Sequence, residues 1–147
     1  MLNESGPKVV EFNVRFGDPE AQVVLPLLEN DLVEILSASC EGRLNEVELE
    51  WKKEASVCVI AAALGYPGPT TKGLAIELPE FLDDGTQIFH AGTRIQENTL
   101  VTSGGRVFGV TAQATDIEQA RNRVYQLMEK IKFRGMQFRS DIGAKAL

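Results

Sequence analysis

The sequence predicts an α+β fold, in which strands and helices are grouped along the chain instead of alternating. Strand-like segments rich in β-branched residues follow one another from residue 56 to residue 114. One amphipathic helix pattern then covers residues 116–132, and shorter helical patterns lie between residues 18 and 42. Strands grouped together and followed by a helix favour a small sheet with a helix packed on it.

The first predicted element is a strand over KVVEFNVRF (8–16), where apolar and polar residues alternate. A period of two places alternate side chains on opposite faces of a strand. Glu11, Asn13 and Arg15 therefore share one face, and the other face carries Val10, Phe12, Val14 and Phe16. The strand is expected to end at Gly17, which is followed by turn formers.

Helices are predicted after this strand. Asp18 is placed as an N-cap, with Pro19 at the first helical position and Glu20 in the first turn. Pro26 removes a backbone donor from the following apolar stripe, so the first helix should be short. A second helix should begin near Asp31 and end at Gly42.

The second part of the chain is predicted to hold a buried strand at 56–64, a loop at 65–73 and four more strands. The four are 74–78, 87–95, 98–103 and 106–114. Ser103-Gly104-Gly105 predicts a hairpin between the last two. A helix opened by Asp116 should cover 116–132, and the tail should be a loop with a last helical turn.

Composition excludes several classes of protein. The net charge is −6 and the basic residues are scattered, which argues against nucleic acid or a membrane surface as the main partner. The longest apolar run, 57–65, is too short to span a bilayer. The first residues lack the features of a signal peptide, and Cys40 and Cys58 lack metal or disulfide spacing. We therefore expect a cytoplasmic protein.

Familiar catalytic arrangements are absent from the sequence. The single histidine, His90, lies inside a predicted strand, and no serine stands in a nucleophile-elbow motif. His90 is therefore interpreted as a hydrogen-bonded structural residue. The segment SGGRVFG (103–109) lacks the lysine and the strand–loop–helix setting of a phosphate-binding loop.

The polar face of residues 8–16 has two interpretations. Glu11 and Asn13 offer the oxygen ligands that Mg²⁺ takes alongside nucleotide phosphates, and Arg15 could contact the same phosphates bidentately. The alternative is a solvent-facing edge strand decorated by a Glu–Arg pair. The residue pattern supports both equally.

A resemblance favours the first interpretation. EFNVRFGDPEAQ (11–22) closely resembles the end of the ATP-grasp region in the glycinamide ribonucleotide synthetase family, also called phosphoribosylamine–glycine ligases. The Glu-x-Asn-x-Arg part is shared loosely by ATP-grasp ligases at large, whereas the Arg-Phe-Gly-Asp-Pro-Glu run is specific to this family. The resemblance extends in order through GYPG (65–68), KG (72–73), HAGT (90–93), SGGRVFGV (103–110) and RSDIG (139–143).

The resemblance implies a division of the chain and a chemistry. Residues 1–49 would be the last strand and helices of the ATP-grasp region, and residues 50–147 a C-terminal domain with a small mixed sheet and a packed helix. The family joins glycine to 5-phosphoribosylamine through a glycyl phosphate, with ATP as co-substrate and Mg²⁺ or Mn²⁺ as the metal. The chain would be the C-terminal part of such a ligase and inactive alone.

The resemblance also implies roles for single residues. Glu11 and Asn13 would bind the metal, and Arg15 would stabilise the transferring phosphoryl group or the acyl phosphate. Asp18 and Glu20 would contact glycine's ammonium or the incoming amine. Helix capping explains Asp18 equally well, and helix-dipole complementation is favoured for Glu20. Lys72, Arg106 and Arg139 could reach the ribose phosphate, although ordinary surface roles are favoured for each.

Two other functions remain open. One is a fragment of a carboxylase-type ATP-grasp enzyme, against which Gly17-Asp18-Pro19-Glu20 argues. The other is a non-catalytic binding module.

Overall fold

The computed structural model describes residues 2–147. It confirms the α+β class: small antiparallel sheets are combined with three α-helices in the described chain. The chain begins with a short antiparallel hairpin of β1 (Leu2–Asn3) and β2 (Gly6–Pro7). No helix within residues 2–147 is long and apolar enough to cross a membrane.

The strand predicted over 8–16 is wrong. These residues have no regular secondary structure, and side chains of both predicted faces are exposed, including Phe12 at 84% and Val14 at 96%. A strand is stable when its backbone groups bond to a neighbouring strand. No strand among residues 2–147 pairs with this segment, so its alternating pattern finds nothing to pack or pair with.

The predicted pair of short helices is present. α1 (Ala21–Val24) continues into a 3-10 turn (Leu25–Leu27) that contains Pro26, and α2 spans Leu32–Cys40. Asp31 caps α2 by accepting a hydrogen bond of 2.7 Å from the Val33 amide. A second 3-10 turn (Leu44–Glu46) follows.

The expected capping by Asp18 is wrong. The residue at the N-cap of α1 is Glu20, and it makes no side-chain capping bond. The Asp18 carboxylate instead accepts a hydrogen bond of 2.8 Å from the side chain of Gln22. Asp18 is thus free of the helix terminus and engaged with side chains.

The main sheet has four strands in the order β10-β3-β8-β5, and every pairing is antiparallel where a mixed sheet was expected. β3 and β8 were predicted closely, whereas β5 is shorter than expected and β10 was missed. The strands are β3 (Ala55–Ala63), β5 (Thr86–His90), β8 (Arg106–Ala114) and β10 (Met136–Gln137).

Two smaller pairs of strands complete the fold. β4 (Ile76–Glu77) pairs with β9 (Lys132–Phe133), and β6 (Thr93–Gln96) pairs with β7 (Thr99–Thr102). The hairpin expected at 103–105 is therefore wrong, because β7 turns back on β6 and not on β8. The turn is made by Glu97 and Asn98, whose φ values of 49° and 62° are those of a two-residue hairpin turn.

The two faces of the main sheet differ in what covers them. Paired residues of antiparallel neighbours point to the same side, so Val57, Val59 and Ala61 share one face with the β8 residues opposite them. This α3 face packs against α3 (Ile117–Lys130), whose buried residues are Ala120, Val124, Leu127 and Met128. Asp116 caps α3 through the Gln119 amide at 2.8 Å, as predicted, and the tail ends in the expected helical turn (Ala144–Ala146).

The opposite face, here the α1 face, carries Cys58, Ile60 and Ala62 from β3 and Gly109 and Thr111 from β8. α1 lies on this side, because the Thr111 hydroxyl donates to the carbonyl of Gln22 at 3.0 Å. The segment that holds the predicted site residues therefore leads onto a face of smaller and more polar residues.

Candidate functional site

The predicted metal ligands Glu11 and Asn13 lie side by side. The Asn13 amide donates to Glu11 Oε1 at 3.2 Å, so both side chains project to the same side although the strand is not formed. Both are exposed. A carboxylate and a carboxamide together supply oxygen donors of the type that Mg²⁺ and Mn²⁺ accept, so the donor chemistry fits such a cation.

Arg15 is not brought to the same pair. Its guanidinium donates to the backbone carbonyl of Phe16 at 2.8 Å. Glu20 folds back over Gly17, close enough that a Cβ added there would clash with it. Within residues 2–147, no group of three or more histidine, cysteine, aspartate or glutamate side chains is placed to hold a metal ion.

Asp18 is joined to the main sheet through Arg106, the first residue of β8. The guanidinium lies 3.4 Å from the Asp18 carboxylate and donates to the Asp18 carbonyl at 3.3 Å. With the bond from Thr111 to Gln22, two points on β8 fix the turn at 17–20 and the start of α1. This connection orients Asp18 relative to the sheet.

A cleft of about 620 Å³ opens beside this connection. Asp18 and Gln22 lie on one side, and Gln87, Phe89 and His90 of β5 lie on the other. Nδ1 of His90 and the Thr93 hydroxyl form a hydrogen bond of 3.0 Å, and the His90 ring packs edge-to-face with Phe108. These contacts agree with its interpretation as a structural residue.

A second cavity of about 490 Å³ is lined by Arg106. Arg139 and Tyr66 also line it, and the Arg139 guanidinium bonds Asp141 at 2.8 and 2.6 Å. These bonds raise the pKa of Arg139 and lower the pKa of Asp141, so both stay charged. Lys72 is exposed and is not among the residues that line this cavity.

Cys58 lies buried on the α1 face. Burial raises the pKa of its thiol, against the opposing effect of a hydrogen bond with Thr111. A buried thiol with a raised pKa is a poor nucleophile at neutral pH.

Several residues around Asp18 were not predicted. Gln22 could have been suspected only from its position four residues after Asp18 on a short helix. Tyr66 reaches the second cavity from a loop and stands in the GYPG motif (65–68) already singled out. Gln137 reaches the same cavity from β10. Register across the sheet, which the sequence does not display, brings Gln137 there.

The fold has a solved counterpart. A phosphoribosylamine–glycine ligase from Thermotoga maritima superposes over 96% of this chain with a TM-score of 0.77 and 35% identity, and the match covers 34% of that ligase. The α+β arrangement of this chain is therefore that of a ligase-type domain.

Sequence comparison gives the same result. The chain is 49% identical over 98% of its length to a phosphoribosylamine–glycine ligase of Caldanaerobacter subterraneus, covering 34% of that protein. It is 48% identical over 96% of its length to the chloroplastic phosphoribosylamine–glycine ligase of Arabidopsis thaliana, covering 27% of it. The chain thus spans about a third of the length of the curated relatives it matches.

The family model "phosphoribosylglycinamide synthetase, C domain" matches residues 56–145. The chain belongs to this family. The matched range contains β3, apart from its first residue, through β10 and α3. It begins after the segment that carries Glu11, Asn13, Arg15, Asp18 and Glu20.

Proposed function

We propose that this chain provides the C domain and the adjoining metal-binding segment of a phosphoribosylamine–glycine ligase. The reaction would activate the carboxylate of glycine with ATP, and the amine of 5-phosphoribosylamine would then displace phosphate to form the amide. The observation that carries the proposal is the match to a ligase of that name over 98% of the chain, which includes residues 11–20. The same proposal places the protein in purine biosynthesis and in the cytoplasm.

In this proposal Glu11 and Asn13 hold Mg²⁺ or Mn²⁺, which would offset the negative charge of the ATP phosphates. Their adjacency, with 3.2 Å between the amide and the carboxylate, supports a shared ligand. Arg15 binds the transferring phosphoryl group or the acyl phosphate, once its guanidinium leaves the Phe16 carbonyl. Because that guanidinium is exposed, this movement does not disturb the core.

Asp18 would bind an ammonium group of glycine or the incoming amine. Its carboxylate already lies beside Arg106 and Gln22, which hold it against the sheet. Glu20 is the second carboxylate proposed to contact an amine. Both remain exposed, so a substrate can reach them.

A split-ligase experiment tests the proposal. This chain is mixed with the part of the Caldanaerobacter ligase that precedes the matched segment, and phosphate release and amide formation are measured with ATP, glycine and 5-phosphoribosylamine. We expect activity from the mixture and none from this chain alone. Amide formation by this chain alone would contradict the proposal. So would a mixture that stays inactive although the two parts associate.

Variants in the mixture test the site. Glu11→Ala and Asn13→Ala should each lower turnover roughly 100-fold, since loss of groups that merely orient metal ligands already costs about 10- to 100-fold. Their thermal unfolding should match the unchanged chain because both side chains are exposed. Glu80→Ala, an exposed carboxylate in another loop, is the matched control and should keep full activity.

The competing carboxylase-type function is measured in the same mixture. Bicarbonate replaces glycine, and ATP-dependent carboxylation is followed. Turnover with bicarbonate but not with glycine would favour that alternative. Binding of ligands without turnover of either substrate would favour a non-catalytic module.

A further inference from the structure

The tail that follows β10 is fastened to α3 by one tyrosine. The hydroxyl of Tyr125 donates a hydrogen bond of 2.8 Å to the Arg139 carbonyl and accepts one of 3.1 Å from the Ile142 amide. A phenolic hydroxyl can donate and accept at the same time, so a single group serves both contacts. The start and the end of the segment 139–142 are therefore both fixed to the helix.

Arg121 fixes the same segment between these two points. It lies four residues before Tyr125, so the two side chains share one face of α3. Its Nε donates to the Ile142 carbonyl at 3.0 Å, and its Nη2 donates to the Ser140 carbonyl at 2.9 Å. The guanidinium carbon also lies 4.9 Å from the centre of the Tyr125 ring, within the range of a cation–π contact. The two side chains thus support each other while both bind the backbone of 139–142.

Apolar contacts seat the tail on the helix at both ends of this segment. Before it, the Phe138 ring lies 6.2 Å from the Tyr125 ring. At its end, Ile142 packs against the hydrophobic core, as Tyr125 also does. A Cβ at Gly143 would lie 3.5 Å from Arg121 Cδ, so the backbone there runs against the arginine stem. The position of the segment is therefore determined by α3.

The segment carries Arg139, whose side chain lines the second cavity. Its guanidinium donates to the Asp141 carboxylate at 2.8 and 2.6 Å, and the two side chains are 74% and 58% exposed. Exposed ion pairs contribute little to holding a chain in place, so this pair alone does not fix the backbone. A guanidinium has five N–H donors, which leaves donors on Arg139 for a ligand. The ion pair orients the guanidinium, and α3 determines where that guanidinium lies.

A second arginine of α3 makes equivalent bonds to a different segment. Arg123 donates to the carbonyls of Gln113, at 2.7 Å, and Asp84. Neither of these residues lines the second cavity. Arg121 and Arg123 therefore each bind two backbone carbonyls from the same helix, but only Arg121 binds the segment that carries a cavity residue.

We propose that Tyr125 and Arg121 are positioning residues for the ligase reaction, because they hold the segment 139–142 so that the Arg139 guanidinium stays at the second cavity. Neither of them lines the cavity, so both act through Arg139. The proposal rests on the proposed function and on a contact between Arg139 and the ribose phosphate, which the sequence left open. It adds two residues of α3 on which that contact depends.

The first test uses the 147-residue chain and needs no activity. NMR relaxation gives the order parameter of the Arg139 Nε–H group, and hydrogen exchange is measured at the Ile142 amide. Tyr125→Phe keeps the ring and removes only the hydroxyl, and Arg121→Gln removes the guanidinium. Both should lower the order parameter and speed the exchange, whereas the matched control Arg123→Gln should change neither. Unchanged β8 amide signals verify that each variant is folded.

The second test uses the split ligase. Tyr125→Phe and Arg121→Gln should each raise the KM for 5-phosphoribosylamine about 3- to 10-fold, the factor that corresponds to one hydrogen bond of ordinary net strength. The KM values for ATP and glycine, and kcat, should not change. Arg123→Gln should leave all of these constants unchanged even where it lowers Tm as much as Arg121→Gln does. This control separates positioning from a general loss of stability.

A double-mutant cycle tests whether the effect passes through Arg139. In the Arg139→Gln background, Tyr125→Phe should raise the KM for 5-phosphoribosylamine no further. An equal rise with and without Arg139 would overturn the proposal, as would equal effects of the Arg121 and Arg123 changes on that KM.

The two tests also separate this proposal from the proposed function. An unchanged order parameter of Arg139 in Tyr125→Phe would overturn the positioning role whatever the split ligase does. A lowered order parameter together with a split ligase that is inactive even without substitutions would count against the proposed function and leave the attachment of Arg139 to α3 standing.

Discussion

Residues 3–49 and residues 55–147 differ sharply in burial. In the first region, Ala38 is the one buried residue among those whose burial is described. In the second region β3, β8 and α3 form a continuous core, and Val59, Phe108 and Val110 are completely buried. Hydrogen bonds, both local and to β8, therefore contribute most to the order of the first region, while apolar packing stabilises the second.

The comparison is clearest between residues 8–16 and β8. Both are nine-residue segments rich in β-branched and aromatic residues. β8 has a partner on each side, β3 and β5, and its buried face meets α3. Residues 8–16 have no such neighbours among the described residues, so the same type of sequence gives an exposed, irregular segment.

The largest effect is expected from a matched pair of phenylalanine substitutions. Phe108→Ala removes a completely buried ring and should lower the free energy of unfolding by about 3–5 kcal/mol. Phe12→Ala removes a ring that is 84% exposed and should change it by less than about 0.5 kcal/mol. Urea denaturation of the two variants measures both values. Equal losses would show that residues 8–16 pack in solution and would break the comparison.

A smaller effect is expected at Gly92, where two segments of the second region cross. A Cβ at this position would lie 2.6 Å from the Arg106 carbonyl oxygen and 2.7 Å from Gly104 Cα. Because both are backbone atoms, Gly92→Ala should cost about 1–3 kcal/mol. Gly42→Ala is the comparison variant. A Cβ at Gly42 meets nothing within 4 Å, so the cost of this change comes from the positive φ alone. A loss at Gly92 below about 0.5 kcal/mol would contradict close packing at the crossing.

The cap of α2 tests whether the two regions unfold together. Asp31→Ala removes the bond to the Val33 amide and should lower the stability of α2 by about 1 kcal/mol. Amide hydrogen exchange reads α2 and β8 separately. We expect faster exchange in α2 with β8 unchanged, whereas an equal change in both would show one cooperative unit.

The smallest effect on stability is expected from protonation of the Asp116 carboxylate at acid pH. The Gln119 backbone amide, the largest cause, lowers the pKa of this carboxyl below its ordinary 3.8. The folded state therefore binds the proton less readily, and the stabilisation is present above pH 3.8 and lost as pH falls through the folded pKa. The difference in Tm between the unchanged chain and Asp116→Asn should shrink over that interval. A difference independent of pH would contradict an ionised cap.

The sequence was sufficient where periodicity and neighbours agree. β3, β8 and α3 have patterns that match their partners. The helices expected to begin near Asp31 and at Asp116 do begin there, and those two residues cap them. Residues 8–16 show the limit, since alternation indicates a capacity to pair but not the presence of a partner. The hairpin predicted at 103–105 was wrong because turn composition does not determine where two strands pair. Ser103-Gly104-Gly105 has turn composition, yet Glu97 and Asn98 make the hairpin turn with a left-handed backbone.

The candidate site was predicted in type but not in contacts. Glu11 and Asn13 are two positions apart, and their side chains lie next to each other even though no strand is formed. The link between Asp18 and Arg106 spans 88 positions and depends on how the turn meets β8. Ala62 is paired with Arg106 on one side and with Gln137 on the other, and this depends on strand register, which is fixed only when the sheet assembles. The roles of Glu11, Asn13, Arg15, Asp18 and Glu20, and the domain boundary at 49/50, stay predictions.

The β6–β7 hairpin has a practical consequence. Its tip at Glu97 and Asn98 is exposed, as are the residues from Arg94 to Thr99. Neither tip residue lines the cleft beside Asp18 or the second cavity, which Arg106 and Arg139 line. Exposed loop tips tolerate insertions better than buried elements. A fluorescent label or an affinity tag inserted there would report on the proposed assembly with the upstream part of a ligase without occupying either cavity.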